Sequence, residues 1–261
     1  MILTVDVGNT NIVLGCAQPE TGKIFFEEKI YTDRHKGEVE YAIAAKAIFD
    51  MYGISAKELE GGIISSSVPP ITEPVREGLE RLLGKKMLEV APGLKTGVDI
   101  KLEDPTQLGA DLLVGAVAGI TQYGAPLILI DMGTATTFSV ISEEKRFLGG
   151  MIIPGIEVAL SGLAKRCAHL PEVAIKKPAK LIAGNTVGAM QSGSIYGHAS
   201  CLDGMIDRIW EELGYETAVV ATGGYAAEVI PCCKHKIIFD DKLLIKGLTI
   251  LYEKNTKKTK K

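Results

Sequence analysis

The chain has 261 residues, room for one large domain or two of ordinary size. With 46% hydrophobic and 23% charged residues and a formal net charge of −3, it reads as an ordinary globular sequence with nothing that points to a nucleic-acid partner. No apolar run reaches the ~18 residues of a membrane span, and Met1-Ile2-Leu3-Thr4-Val5-Asp6 lacks the basic start and cleavage site of a signal peptide, so no membrane contact and a cytoplasmic location are expected.

In chain order, apolar runs predict strands at 2–7, 11–17 and 24–31. A helix follows over 38–52, where Val39, Ile43, Ala47 and Met51 recur every four residues and form one face. A buried strand is expected at 61–66, then Pro69-Pro70 and a helix near 71–83. The second half repeats the order: strands at 127–131, 136–142 and 146–152, a long helical insertion from 155 to 212, a strand at 217–222 and a closing helix at 241–253. The expected domains are 1–117 and 118–255, followed by a polar, basic tail at 256–261 that is expected to be frayed.

One motif occurs twice. Val5-Asp6-Val7-Gly8-Asn9-Thr10-Asn11 and Ile130-Asp131-Met132-Gly133-Thr134-Ala135-Thr136 each end an apolar strand with an aspartate, then a glycine, then short hydroxyl or amide side chains. The glycine lets backbone N–H groups approach a phosphate, and the short side chains can bond its oxygens. Both copies run on into another apolar stretch, so each reads as strand, tight turn, strand. Two equivalent turns point to a clamp on a metal–nucleotide complex, with Asp6 and Asp131 as candidates for cations that prefer oxygen ligands, Mg²⁺ among them.

From Pro105 to Ile130 the only carboxylate is Asp111, set in Gly109-Ala110-Asp111-Leu112-Leu113-Val114. An acid on so apolar a helix is costly unless paired or functional. It is either a cap for backbone N–H groups near the helix start or a general base for a substrate hydroxyl. Thr222-Gly223-Gly224-Tyr225 follows a strand, and its glycines would let a base or ribose approach the backbone; a plain strand-to-helix turn is the other reading. Gly78 to Lys86 imitates a P-loop but has the wrong spacing and ends a helix instead of opening one. The five cysteines include no C-x-x-C pair, and the four histidines are scattered, so neither disulfides nor zinc are expected.

Three strands, a helix and a further strand, given twice, describe an α/β protein of duplicated ribonuclease-H-like domains, the architecture of the actin and sugar-kinase group, in which ATP lies between the halves. Within that group the chain resembles the type III pantothenate kinase family. The resemblance is carried by Asp6-Val7-Gly8-Asn9-Thr10-Asn11, Ser65-Ser66-Ser67-Val68-Pro69, Gly109-Ala110-Asp111, Asp131-Met132-Gly133-Thr134-Ala135-Thr136-Thr137, Gly149-Gly150-Met151-Ile152-Ile153-Pro154-Gly155, Asn185-Thr186, Gln191-Ser192-Gly193, Ala221-Thr222-Gly223-Gly224 and Gly247-Leu248-Thr249-Ile250-Leu251-Tyr252. It implies ATP-dependent phosphorylation of pantothenate to 4′-phosphopantothenate, at the start of coenzyme A synthesis. It also implies that Asp6, Val7, Gly8, Asn9, Thr10, Asn11, Ile12, Val13 and Thr134 hold ATP, that Asp131 holds a potassium or ammonium ion, that Asp111 accepts the proton, and that Gly109, Ala110, Leu112 and Thr186 line the pantothenate site of a homodimer.

The acceptor site departs from the family pattern. Leu112 stands where arginine usually follows the Gly-x-Asp, and Leu102 stands where a tyrosine is usual. Leucine offers none of the charge-assisted grip that a guanidinium gives an acidic substrate. Three readings follow: a pantothenate kinase with a weakened grip, a kinase for a related acceptor, or a non-catalytic ATP-binding paralogue that acts as a regulator.

Overall fold

The computed structural model describes residues 1–257. It contains two compact units. The first comprises Met1–Val98, Glu103–Thr121 and the chain from Lys242 on; the second comprises Asp99–Leu102 and Gln122–Asp241. Neither is continuous in sequence, whereas the expected domains were divided by a single cut after residue 117.

The first unit is built on a five-stranded sheet of β1 (Ile2–Val7), β2 (Asn11–Gln18), β3 (Lys23–Tyr31), β4 (Gly61–Ser66) and β5 (Met87–Glu89), in the order β3-β2-β1-β4-β5. β1 pairs antiparallel with β2 and parallel with β4, so it runs through the middle and is buried on both faces except at Asp6. Its side chains alternate between faces. Leu3, Val5 and Val7 pack with Tyr41, Ile48, Phe49, Ile71 and Val75 from α1 (Glu38–Met51) and α2 (Pro69–Leu83). Ile2 and Ile63 pack on the other face with Val114 and Val117 of α3 (Ala110–Tyr123). Leu248 and Leu251 of α7 (Leu243–Thr256) complete that second layer. Burial of each leucine contributes about 2 kcal/mol.

The helices α4 (Ile156–Arg166), α5 (Thr186–Leu213) and α6 (Ala226–Val229) belong to the second unit. Its sheet holds β6 (Asp99–Ile100), β7 (Leu127–Met132), β8 (Ala135–Ile141), β9 (Arg146–Pro154), β10 (Ala218–Thr222) and β11 (Ile238–Phe239), in the order β11-β10-β7-β8-β9-β6. Read from β9 to β11, this is the order of the first sheet, with the same parallel and antiparallel pairings. The short strand β6 is an addition on the β9 edge. Ile128, Ile130 and Met132 of β7 pack with Ile195, Ala199, Leu202 and Ile206 of α5, which leaves Asp131 on the opposite face.

Four expectations need correction. On α1 the apolar face Val39, Ile43, Ala47 and Met51 is exposed, and Tyr41, Ala45, Ile48 and Phe49 are buried instead. The helix carries two apolar stripes, and packing selects the one with the aromatic rings. The insertion expected to be helical from 155 to 212 is two helices, α4 and α5, separated by a non-helical stretch over 167–185 that carries Pro171 and Pro178. Thr256, expected in a frayed tail, is the last residue of α7, while 258–261 lie outside the described residues. The fourth concerns Asp111, described below.

Candidate active site

Each sheet carries one of the two turns at the carboxyl end of its central strand. In the first unit Gly8 N–H donates to Asn11 C=O at 3.0 Å and closes a four-residue connection between the register pairs Val7–Ile12 and Asn11–Tyr31. The turn is fastened from outside as well. Thr32 donates through Oγ1 to Gly8 C=O at 2.6 Å and through its N–H to Thr10 C=O at 3.0 Å. Ser67 N–H donates to Val7 C=O at 3.0 Å. Asn9 and Thr10 are left exposed at the tip.

In the second unit Gly133 N–H donates to Ala135 C=O at 3.0 Å, within a connection one residue shorter, between Met132–Thr136 and the strand ends. Gly155 N–H donates to Thr134 C=O at 3.0 Å. Gly223 follows β10 and has a left-handed φ of 101°, a conformation that favours glycine, and it lies against the backbone of Met132. The Gly223 loop and the Asp131 turn are therefore one packed structure. Thr32, which braces the first turn, stands in none of the motifs of the sequence, whereas Gly155, which braces the second, closes the motif at 149–155.

Both aspartates are half-buried and have hydroxyl side chains beside them on the sheet. Asp6 on β1 stands opposite Ser65 on β4, and Thr4 lies two residues back on the same face. The buried Ser65 Oγ and Thr4 Oγ1 have no hydrogen-bond partner among the described residues. Asp131 on β7 stands between Thr137 on β8 and Thr222 on β10. These are all-oxygen donor sets of the kind hard cations take. Among the described residues no three or more His, Cys, Asp or Glu gather as a metal cage, so a cation here would share one carboxylate with hydroxyls, water and phosphate oxygens.

Asp111 sits in the first turn of α3, on the helix that covers the Asp6 face of the first sheet. It was expected to be buried and is half-exposed, because the buried part of α3 begins one turn later, at Val114. Its Oδ1 accepts from Leu112 N–H at 2.9 Å and lies so close over Gly109 that a β-carbon there would stand 2.5 Å away. Oδ2 accepts no hydrogen bond among the described residues. The acid is thus an acceptor at the helix start, with Oδ2 open. Ala110 and Leu112 flank it, and Leu112 is half-buried. Leu102 belongs to the second unit, beside Gly149.

Thr186 opens α5, where Asn185 Oδ1 caps the helix by accepting from Gly188 N–H at 2.8 Å. It lines an open, mainly apolar cavity of about 590 Å³ with Leu160, Leu163, Asn185, Met190 and His198. The structure thus groups Asp6 to Val13 with Asp111 in one unit, and Asp131, Thr134, Thr186 and Gly223 in the other.

Duplicated sheets with an aspartate turn on each central strand define the class of actin-like ATPases and sugar kinases. Solved structures agree on that fold: an activator of 2-hydroxyisocaproyl-CoA dehydratase from Clostridium difficile with bound ADPNP (12% identity, TM-score 0.55, 97% of this chain and 94% of that one) and a ROK hexokinase from Thermus thermophilus (14%, 0.50, 96% and 97%). The profile described as type III pantothenate kinase matches residues 2–208. A type III pantothenate kinase from Bacillus cytotoxicus is 45% identical over 255 residues, covering 98% of this chain and 97% of the relative. The chain belongs to the type III pantothenate kinase family.

Proposed function

We propose that the protein transfers the γ-phosphoryl group of ATP to the primary hydroxyl of pantothenate, giving 4′-phosphopantothenate and ADP. Family membership supports the reaction, and the open Oδ2 of Asp111 carries the assignment of the base. In this reading Oδ2 accepts the hydroxyl proton as the alcohol oxygen bonds to the γ-phosphorus and the bond from phosphorus to the bridging β,γ-oxygen breaks. The backbone N–H groups and short side chains of Asp6–Val13, with Thr134 and Gly223, bind the nucleotide. Asp131 serves a potassium or ammonium ion and Asp6 serves Mg²⁺, which neutralise phosphate charge when bound. Gly109, Ala110, Leu112 and Thr186 meet pantothenate. No described helix is long and apolar enough to cross a membrane; in this reading the enzyme is a cytoplasmic homodimer, as the family resemblance implies.

One observation favours a second reading. Leu102 and Leu112 remove polar contacts from the acceptor side while the nucleotide turns stay complete, as in a kinase for a less acidic acceptor or an ATP-binding regulator. ADP release measured with and without pantothenate decides between them: release that rises with pantothenate supports the kinase, and tight ATP binding without acceptor-dependent release supports the regulator.

A further inference from the structure

The strand β3 does not end loosely. Thr32 is bonded twice to the Asp6–Asn11 turn, through Gly8 C=O and Thr10 C=O. One residue on, Asp33 C=O accepts from the hydroxyl of the buried Tyr41 at 2.6 Å, and Asp33 Oδ1 accepts from His35 N–H at 3.0 Å. Arg34 is therefore held on a short platform anchored at one end to the turn and at the other to α1. From there its Nη2 donates to Asn9 Oδ1 at 3.2 Å.

Two consequences follow for the tip of the turn. Asn9 is orientated by that bond: its amide oxygen is engaged, and both Nδ2 donors, unused among the described residues, are left for an oxygen ligand. The guanidinium makes no ion pair and no other hydrogen bond among the described residues, so its remaining N–H donors stand exposed beside the same tip. An exposed arginine usually spends its side-chain freedom in water. Here the backbone beneath it is fixed, and its charge lies next to a turn whose chemistry suits phosphate oxygens.

We infer that Arg34 is a phosphate-binding residue of the nucleotide site, meeting a phosphate oxygen of ATP together with the amide of Asn9. The inference rests on the assignment of the Asp6–Asn11 turn to ATP. It gives this chain a cation on the nucleotide side of the reaction that neither copy of the turn contains.

Calorimetric titration of wild type, Arg34→Gln and Arg34→Lys with ATP and with adenosine tests it, with melting temperatures taken alongside. Arg34→Gln is expected to weaken ATP binding about ten- to a hundredfold and to leave adenosine binding unchanged, and Arg34→Lys should recover part of the loss. ATP affinity in Arg34→Gln equal to wild type overturns the inference. So does an equal loss for ATP and adenosine, which would make Arg34 a brace of the turn. Wild type that binds no ATP would overturn the nucleotide assignment itself, and this inference with it.

Discussion

Gly223 and Met132 touch backbone to backbone: a β-carbon at position 223 would stand 2.6 Å from the N, C and O atoms of Met132. The turn that holds Asp131 and the loop after β10 therefore cannot move independently. Gly223→Ala adds both that clash and a side chain at positive φ, at a cost of about 1–3 kcal/mol. The expected outcome is a lowered melting temperature and, if the turn holds phosphate as proposed, weakened ATP binding, read by calorimetry.

Asp111→Asn should separate chemistry from binding. The amide keeps an oxygen to accept from Leu112 N–H, so the start of α3 is preserved, while the general base is lost. Turnover is expected to fall by about 10²–10⁴ with ATP affinity unchanged, measured by ADP release and by titration. Near-normal turnover would remove Asp111 from the role of base.

Asp131→Ala is expected to abolish any preference for potassium or ammonium over sodium and to weaken ATP binding. The check is ADP release in the three chloride salts at equal ionic strength for both proteins. Equal wild-type rates in potassium and sodium would refute a monovalent site at Asp131.

Leu112→Arg puts a cation at the position proposed to meet the acceptor. Since Leu112 is half-buried, a guanidinium there can reach solvent along its own stem and need not be buried unpaired. The Michaelis constant for pantothenate should fall about tenfold or more, with the melting temperature within a few degrees of wild type. A folded variant with no pantothenate-dependent ADP release would point to another acceptor or to lost catalysis.

Leu251→Ala probes the layer between the first sheet and its outer helices. Leu251 is fully buried against Ile2 and Ile63, so the cavity left behind should cost about 2–5 kcal/mol, read as a lowered denaturation midpoint.

The sheets were legible in the sequence because a central strand buried on both faces reads as a mainly apolar run, as in Ile2–Val7, interrupted at Thr4 and Asp6, and Leu127–Met132, interrupted at Asp131. The duplication was legible because the aspartate and glycine recur at one spacing. The strands β5, β6 and β11 were not, since two or three residues carry no period. The exposed stripe of α1 misled for a related reason: Val39, Ile43 and Met51 keep helical spacing as faithfully as Tyr41, Ala45 and Ile48, and spacing does not say which stripe meets the sheet. At the candidate site, residue type alone singles out Asp6, Asp111 and Asp131. The supports at Thr32 and Arg34 depend on where strands end in space, and no local pattern marks them.

The layer formed by Ile2, Ile63, Val114, Val117, Leu248 and Leu251 joins the two ends of the chain. A ribosome delivers the first four of these residues before most of the second unit exists and the last two only after all of that unit, Asp99–Leu102 and Gln122–Asp241, has been made. Until α7 arrives, the Asp6 face of the first sheet lacks one of its two covering helices and exposes apolar surface that invites association with other chains. The second unit waits for no such distant piece. Of the two sheets, the one that carries the Asp6 turn is made first and enclosed last.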